Sequence, residues 1–365
     1  QNATNFITST TFETLTANKC LIDTFDRNFE FSVEHVALAK QADLVLIAPA
    51  TANVIGKIAN GIADDMLTPT VMESTCKVLI APAMNHNMYH NPIVQENLRK
   101  LERYGYEIID PVHGMLANGD TGDGKLPDEA VLTEYIYREL AAPHDMEGMN
   151  VLVTAGPTQE AIDPVRYITN HSTGKMGYAV ARMASWRGAK VTLVSGPVAL
   201  EPPMFADVVP VTSAEDMYRA VTERAKEQDI IIKAAAVADY RPAAVAEEKI
   251  KKTDGETSIR LERTTDILAT LGAEKGKTFL CGFSMETEHM MEYSRKKLEK
   301  KNLDMIAANN LRTEGAGFGT DTNVLTLITA AGERQLERMS KEAAANELLS
   351  EILRLRKQTG DKAWR

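Results

Sequence analysis

The fold of the chain is decided around Asp163-Pro-Val-Arg-Tyr-Ile-Thr-Asn170-His-Ser-Thr-Gly174-Lys175-Met-Gly177, which lies between a predicted strand and a predicted helix. The apolar run 150–155 precedes this stretch, and residues 178–188 follow it with helical periodicity and a terminal glycine. A second apolar run, 191–195, closes a β-α-β unit. In such a unit the loop that enters the helix offers free backbone N–H groups to an anion, most often a phosphate.

The Ser-Thr-Gly-Lys sequence at 172–175 is similar to part of a P-loop, but the full pattern is absent. A P-loop needs G-x-x-x-x-G-K-[ST], whereas Met176 follows the lysine here and no glycine stands five residues before Gly174. Two interpretations are left, a phosphate-binding turn and a purely structural turn at a helix start. Arg166, Asn170 and Lys175 in the same loop favour phosphate binding.

Composition excludes several classes of protein. The chain has 365 residues, enough for two domains, and ordinary apolar and charged fractions. A net charge of -10 and a pI near 5.4 argue against general binding to nucleic acid or to an anionic membrane. No apolar run approaches the roughly 20 residues of a membrane span, and the three cysteines have no C-x-x-C spacing. We therefore expect a cytoplasmic protein without nucleic-acid or membrane partners; because the chain begins with Gln, we also expect a missing N-terminal segment.

Polar residues follow two predicted buried strands of the first half. Residues 43–49 are followed by Thr51 and Asn53, and residues 77–82 are followed by Met84 and Asn85. Such positions form a cradle for a phosphate or for the edge of a flavin. An isolated Asn can instead simply cap a helix.

A glycine-rich segment and a linker end the first half. In the segment 114–125, three of the six residues 119–124 are glycines, which predicts a mobile flap or tight turns. The segment 141–149, which contains Pro143 and Gly148, comes immediately before the next β-α-β unit. It predicts a domain boundary.

The second half alternates strands with helices, which predicts a doubly wound parallel sheet. Asp239 follows the predicted strand 229–235, at the end where such sheets bind ligands. It could hold a ribose hydroxyl or a divalent ion, or it could cap a helix.

Four lysines of the second half suggest an anion site. Lys297 and Lys301 are spaced i, i+4 on one predicted helix, and Lys249 and Lys252 belong to a basic stretch before another strand. Lysines usually lie on a solvated face. In an acidic chain, lysines near the strand ends of one sheet favour an anion-binding cleft.

Together these motifs resemble a known family. Pro82-Ala-Met-Asn-His-Asn-Met-Tyr89 and Ala48-Pro-Ala-Thr-Ala-Asn53 are similar to motifs of flavin-dependent cysteine decarboxylases. Thr154-Ala-Gly-Pro-Thr158, residues 163–176 and 234–241, and Lys249-Ile-Lys-Lys252 look like phosphopantothenate-cysteine ligase. In this order they resemble the bifunctional bacterial proteins of coenzyme A biosynthesis, over essentially the whole chain.

The resemblance implies a ligase in the second half. CTP would activate the carboxylate of 4'-phosphopantothenate as an acyl-cytidylate, with Mg2+, and the amine of L-cysteine would displace CMP. Asn170 would orient the acyl-cytidylate, Arg166 would lie near the phosphopantothenate or the phosphates, and Lys249 and Lys252 would act on the phosphates. The residues implied for CTP are Gly156, Ala235, Asp239, Lys249, Thr265, Asp266, Ile267, Phe283, Lys297 and Lys301. Asp239 is also the implied Mg2+ ligand.

The resemblance implies an FMN-dependent phosphopantothenoylcysteine decarboxylase in the first half. Oxidation of the cysteinyl side chain to a thioaldehyde would make loss of CO2 easy. His35 matches the catalytic histidine, Asn85 matches the asparagine that binds the substrate carboxylate, and Thr51, Asn53 and Met84 are the implied FMN contacts. Asn118 stands where the family has the cysteine that donates a proton. Because an amide is no acid near neutral pH, the reductive half-reaction should be slow or absent.

The implied architecture has two α/β domains. Residues 1–142 would form a flavodoxin-like three-layer flavoprotein domain without its first β-α unit, 143–148 a linker, and 149–365 a Rossmann-like ligase domain. The resemblance further implies homo-oligomers, dimers of the ligase half and trimers of the decarboxylase half. A dehydrogenase is disfavoured because Gly156-Pro157-Thr158 lacks the dinucleotide-binding pattern. The alternative is a first half that is a non-catalytic or oxidative-only flavoprotein module, with only the ligase active.

Overall fold

The computed structural model describes residues 2–25, 33–141, 143–251, 258–286, 290–310, 317 and 319–358. The chain forms two compact units, Gln1–Ala141 and Ala142–Arg365. Among the described residues, no helix combines the length and the apolar character that crossing a bilayer requires.

The first unit is an α/β unit whose elements follow a short 3-10 helix, Asn2–Asn5. In chain order they are α1 (Ser9–Thr16), α2 (Glu34–Gln41), β1 (Leu44–Ala50), α3 (Ala52–Ala59), α4 (Leu67–Glu73), β2 (Lys77–Pro82), α5 (His86–Tyr89), α6 (Pro92–Arg103), β3 (Glu107–Ile108), β4 (Val112–Met115), β5 (Thr121–Lys125) and α7 (Glu129–Leu140).

The sheet of this unit consists of parallel strands in the order β1-β2-β3, with helices packed on both faces. Because strand side chains alternate between faces, Val78 and Ile80 of β2 pack with α3 and α6 on one side. Leu79 and Ala81 face Leu132 of α7 on the other side. This three-layer arrangement matches the predicted fold of the first half.

The glycine-rich segment of the first unit is an antiparallel hairpin. Strands β4 and β5 pair from Val112↔Lys125 to Met115↔Thr121. Gly119 has φ +85°, a conformation that glycine adopts without strain, and it lies in the turn between the two strands. The predicted tight turn is present at Gly119, and the mobility of this segment stays a prediction.

The second unit contains a larger sheet. Its elements are β6 (Asn150–Ala155), β7 (Gln159–Ala161), β8 (Tyr167–Thr169), α8 (Lys175–Trp186), β9 (Lys190–Ser195), β10 (Ala206–Pro210), α9 (Ala214–Thr222), a 3-10 helix (Ala225–Glu227), β11 (Ile230–Lys233), β12 (Tyr240–Pro242), β13 (Leu261–Arg263), α10 (Ile267–Glu274), β14 (Phe279–Glu286), α11 (Met290–Lys300), β15 (Met305–Asn310), β16 (Thr322–Asn323), β17 (Leu325–Thr329), β18 (Gly332–Gln335), β19 (Met339–Ser340) and α12 (Lys341–Gln358).

The strand order of the main sheet is β10-β9-β6-β11-β14-β15-β17-β18. The first six strands are parallel, and β17 and β18 form an antiparallel hairpin at the edge. From β6 the chain adds β9 and then β10 on one side of the sheet. It then returns to β11, on the other side of β6, and adds β14 and β15 beyond it. The switch point therefore lies between β6 and β11, and ligands of doubly wound sheets bind at the carboxyl ends of the strands there.

Helices cover both faces of this sheet, as the predicted doubly wound fold requires. Helices α8 and α12 pack on one face, where Val151 and Val153 of β6 point. Helices α9, α10 and α11 pack on the other face, against Leu152 of β6. Two predicted elements differ in detail. Lys301 directly follows α11 instead of lying within the helix, and the strand predicted after the basic stretch of Lys249 and Lys252 is β13, which pairs with β12 outside the main sheet.

Candidate functional site

The switch point of the second unit brings Asn170 and Gly156 to one place. The pairing of β6 and β11 continues beyond the strands, since Ala236 N–H donates to the carbonyl oxygen of Gly156 (2.9 Å). The Asn170 side-chain amide donates to the carbonyl oxygen of Ala236 (2.9 Å). Ala235 N–H donates to Thr154 Oγ1 (3.1 Å). The predicted residues Gly156, Asn170 and Ala235 thus meet at the carboxyl ends of two adjacent strands.

Glycines permit this close packing. Gly156 has φ +75°, and a Cβ there would lie 3.0 Å from the carbonyl oxygen of Gly196. On Gly177 a Cβ would lie 2.6 Å from Cβ of Ala155, so α8 rests directly on β6. Gly156 and Gly177 are therefore required for packing.

Lys175 is held by a distant loop. Its Nζ forms an ion pair with Asp321 (2.6 Å) and donates to the carbonyl oxygen of Gly319 (3.0 Å). Nearby, Lys341 donates to the Gly317 carbonyl oxygen (3.1 Å), and burial, followed by the charge of Lys175, lowers its pKa.

Arg166 forms a second group with a buried carboxylate. Both Asp163 oxygens accept hydrogen bonds, with Arg166 Nε at 3.0 Å from Oδ2 and the backbone N–H of Val165 at 2.9 Å from Oδ1. The guanidinium of Arg166 holds the pKa of Asp163 far below its usual range. Ile250 is tied to the same group, because its N–H donates to Asp163 and its carbonyl oxygen accepts from Arg166. Lys249, which is exposed, directly precedes Ile250, so its backbone lies near Arg166. Lys252 lies outside the described residues.

A third group contains carboxylates and lysines at the ends of β11 and β14. Lys301 Nζ forms an ion pair with Asp266 Oδ2 (2.8 Å), and Asp266 Oδ1 caps α10 by accepting from Ala269 N–H. The backbone N–H of Thr264 donates to the carbonyl oxygen of Asp239 (3.0 Å). This bond places the segment of Thr265, Asp266 and Ile267 next to Asp239; of these residues, Ile267 is buried and Asp239 is exposed.

The remaining predicted contacts lie along β14 and α11. Lys297 Nζ is 3.4 Å from Oγ of Ser284, which is in β14 next to the half-buried Phe283. Both lysines of the predicted pair, Lys297 and Lys301, therefore point toward the carboxyl ends of the central strands. An anion-binding cleft fits this placement better than a solvated face.

Lys233 belongs to this third group and was missed by the sequence reasoning. It ends β11 and is 8% exposed. Burial and the charge of Lys301 lower its pKa to about 8, against the opposing effect of Asp266 and Asp239. The signal was present in the sequence, since a charged residue ends the otherwise apolar run Ile230-Ile-Ile232.

In the first unit, the ends of β1 and β2 bring the predicted flavin residues to one sheet edge. The Ala83 N–H donates to the carbonyl oxygen of Ala50 (3.0 Å), so the two strand ends stay paired beyond a shift of register between Ile47 and Ala50 of β1. Thr51 caps α3 by accepting from Val54 N–H (3.4 Å), and Asn53 is exposed in the first turn. Met84 and Asn85 follow β2 at the same edge. Exposed polar groups beside a helix start fit the polar edge of a flavin or its phosphate.

The other two predicted residues of this unit lie on separate elements. His35 is half-buried in the first turn of α2, which packs against α4. Asn118 is exposed in the turn of the β4–β5 hairpin, where its amide donates to Asp120 Oδ2 (2.6 Å). The hairpin packs on the chain after β2, because Met84 N–H donates to the Gly124 carbonyl oxygen (3.0 Å).

Comparison with known families divides the chain in the same way. Residues 1–141 match the Flavoprotein family, and residues 146–355 match the C-terminal domain family of DNA/pantothenate metabolism flavoproteins. A coenzyme A biosynthesis bifunctional protein of Bacillus subtilis (strain 168) is 48% identical over 369 residues, covering 100% of this chain and 90% of the relative. The chain belongs to the bifunctional coenzyme A biosynthesis protein family. The predicted family and enzyme class, a flavoprotein decarboxylase joined to a ligase, are confirmed.

More distant members and solved structures agree with this family. The coenzyme A biosynthesis bifunctional protein of Escherichia coli (strain K12) is 41% identical over 95% of this chain and 87% of its own length. The crystal structure of the C-terminal domain of a coenzyme A biosynthesis bifunctional protein shares 44% identity, covering 59% of this chain and 99% of that one, with a TM-score of 0.51. A DNA/pantothenate metabolism flavoprotein from Streptococcus pneumoniae matches with the same TM-score at 27% identity, over 57% of this chain and 99% of its own. The predicted α/β fold is confirmed.

Proposed function

We propose that residues 149–365 join 4'-phosphopantothenate to L-cysteine with CTP and Mg2+, and that residues 1–142 decarboxylate the product with FMN, the two parts being joined by the linker 143–148. The observation that supports the ligase most strongly is the position of Asn170, whose amide lies at the switch point between β6 and β11. Family membership supports both activities.

The ligase reaction has two steps. In the first, a carboxylate oxygen of phosphopantothenate attacks the α-phosphorus of CTP, and the bond to pyrophosphate breaks. In the second, the amine of cysteine attacks the acyl carbon, CMP leaves with the bonding electron pair, and the amine loses a proton. Donors placed where negative charge develops accelerate such steps, and we assign this role to the Asn170 amide.

Cations on two sides of the switch point support the binding of phosphates. Arg166, fixed by Asp163, and the neighbouring Lys249 would contact the phosphopantothenate or the triphosphate, and Lys252 would act with them. Lys297 and Lys301 would contact CTP from α11 and the residue after it. The guanidinium group of an arginine holds its N–H donors in one rigid plane. The contact with Asp163 would therefore orient the donors of Arg166 before the substrate binds.

The remaining groups would hold the nucleotide itself. We assign contacts with the nucleotide to residues at or near strand ends. Gly156 and Ala235 would contribute backbone groups and Phe283 its ring, together with the segment Thr265–Ile267. Asp239 is an exposed carboxylate beside this segment. Mg2+ is usually bound by one or two carboxylates plus substrate phosphates, and Asp239 fits that role.

A binding experiment tests the cleft. In calorimetric titration with CTP and Mg2+, Lys301→Met should weaken binding by about 10–100-fold, since a charged hydrogen bond contributes about 1.5–3 kcal/mol. The control is Lys190→Met, an exposed lysine at the start of β9. Equal affinities for CTP in the Lys301 variant and the wild type would refute the assignment.

For the decarboxylase, FMN when bound would accept two electrons from the cysteinyl side chain of the substrate and return them after CO2 is lost, so the overall reaction needs no external oxidant. The chain's own residues would bind and orient: Thr51, Asn53 and Met84 hold the flavin edge, and Asn85 holds the substrate carboxylate. His35 would accept a proton. Asn118, in the hairpin turn, has no acidic proton to supply, so the last protonation would be slow.

The oligomers predicted from the resemblance, and a cytoplasmic location, stay predictions. The small-molecule partners assigned here are 4'-phosphopantothenate, L-cysteine, CTP and FMN.

A further inference from the structure

Three histidines surround one carboxylate at the base of the β4–β5 hairpin. Asp123 lies in β5, and its Oδ2 is 2.8 Å from Nε2 of His90 and 3.8 Å from Nδ1 of His86. Its other oxygen, Oδ1, is 2.9 Å from Nδ1 of His113 in β4. None of these side chains has a role in the proposed reactions.

The sequence places two of the histidines together. His86 begins α5 and His90 directly follows it, a spacing of i, i+4 that puts both rings on one side of the turn. Their ring centroids are 4.4 Å apart. One ligand atom from each of His86, His90 and Asp123 lies within 4.8 Å of those of the other two.

We propose that His86, His90 and Asp123 bind a divalent transition-metal ion of the Zn2+ type, and that His113 positions the carboxylate of Asp123. Two nitrogen or oxygen ligands, each about 2.0–2.1 Å from a tetrahedral zinc ion, are about 3.3 Å apart. The separations of 2.8 and 3.8 Å lie on either side of this value. Imidazole favours Zn2+, Cu2+ and Ni2+ over Mg2+ and Ca2+, and water would take the fourth position.

The protonation pattern suits metal binding. The backbone N–H of Asp123 donates to Nδ1 of His86 (3.1 Å), so a neutral His86 has its proton on Nε2 and an unshared pair on Nδ1. An ion bound there would take the place of this hydrogen bond. His113 bonds the oxygen that the ion leaves unused, as residues behind metal ligands commonly do.

The backbone fixes the positions of the ligands before an ion arrives. A Cβ on Gly122 would lie 2.9 Å from the ring of His86, and one on Gly124 would lie 2.0 Å from the carbonyl oxygen of Met84. The hairpin therefore packs directly on the chain around α5. A bound ion would join the hairpin, which has Asn118 in its turn, to the helix that follows Asn85. This site does not depend on the proposed function, because its ligands lie outside the assigned catalytic residues.

Cobalt titration tests the site. The full chain, freed of any affinity tag and treated with a chelator, should bind one equivalent of Co2+ with the intense visible absorption of a tetrahedral complex, and Zn2+ should displace it. His90→Ala and Asp123→Asn should abolish the absorption. His113→Ala should weaken binding by about 10–100-fold, as expected for a residue behind the ligands. His144→Ala, which changes an unrelated histidine within the linker, should bind normally.

Two results would overturn the proposal: no saturable binding of Co2+ or Zn2+ to the wild type, or a complex that survives both His90→Ala and Asp123→Asn. Circular dichroism identifies any variant that does not fold. In that case the same titration on His86→Gln, a change at a half-exposed side chain, decides the question: unchanged binding would contradict the proposal, and lost binding in a folded variant would support it.

Discussion

The buried Lys233 allows a quantitative prediction about stability. Its pKa is lowered from 10.5 to about 8, first by burial and then by the charge of Lys301. The folded state therefore binds this proton less tightly than the unfolded state. Charged Lys233 destabilises the second unit below about pH 8, and the free energy of unfolding recovers as the pH rises from about 8 toward 10.5.

The perturbation is Lys233→Met, which keeps the length of the side chain and removes the charge. With about 1.4 kcal/mol per pKa unit, the depressed pKa corresponds to about 3 kcal/mol at pH 7 and about 1 kcal/mol at about pH 9.5. We expect the variant to be more stable than the wild type by up to these amounts. The ion pair of Lys301 with Asp266 stays intact, so the change isolates one charge.

Urea denaturation followed by tryptophan fluorescence measures the effect, since both tryptophans, Trp186 and Trp364, come after residue 142. The matched control is Lys190→Met, an exposed strand lysine whose replacement should change the free energy of unfolding by less than about 0.5 kcal/mol at either pH. If Lys233→Met destabilises the protein at pH 7, or if its effect on the free energy of unfolding does not depend on pH, then the charge of Lys233 is not destabilising as proposed.

Three further changes test the site and the packing. Asn170→Asp should still allow pyrophosphate release from CTP but slow amide formation, because a carboxylate repels the developing oxyanion; unimpaired amide formation would contradict the role of Asn170. Asn118→Cys should speed formation of 4'-phosphopantetheine, and mass spectrometry should show less of the enethiol that is lighter by two hydrogens; an unchanged ratio would mean that the hairpin turn does not supply this proton. Gly177→Ala should destabilise the second unit by about 1–3 kcal/mol, because its new Cβ would lie 2.6 Å from Cβ of Ala155. Gly56→Ala is the control within a helix. The nearest atom to its new Cβ is 3.9 Å away, so we expect no loss in the free energy of unfolding measured by urea denaturation.

Much of the fold follows from local sequence. Apolar runs such as 150–155 and 230–232 predicted buried parallel strands, and Gly188 predicted where the helix of residues 178–188 ends. Because parallel strands of such a sheet bind ligands at their carboxyl ends, Asn170 and Asp239 could be assigned to a site before any coordinates were known.

The parts that local sequence could not predict depend on distant contacts. The loop position of Lys175 predicted phosphate binding, but its Nζ pairs with Asp321, 146 residues later. Arg166 is oriented by a buried Asp163 that also holds the backbone of Ile250, 87 residues away. The perturbed Lys233 depends on three side chains from other segments. Pairings at such separations are set by how the elements pack, which neither periodicity nor turn residues specify.

The ligase assignment is tested most directly by measuring pyrophosphate release and product mass in one reaction. The purified chain is given CTP, Mg2+, 4'-phosphopantothenate and L-cysteine, and each is left out in turn. We predict one pyrophosphate per amide bond formed, with release that requires both CTP and phosphopantothenate. Failure to release pyrophosphate from CTP in the complete mixture, or release that continues without phosphopantothenate, would contradict the assignment.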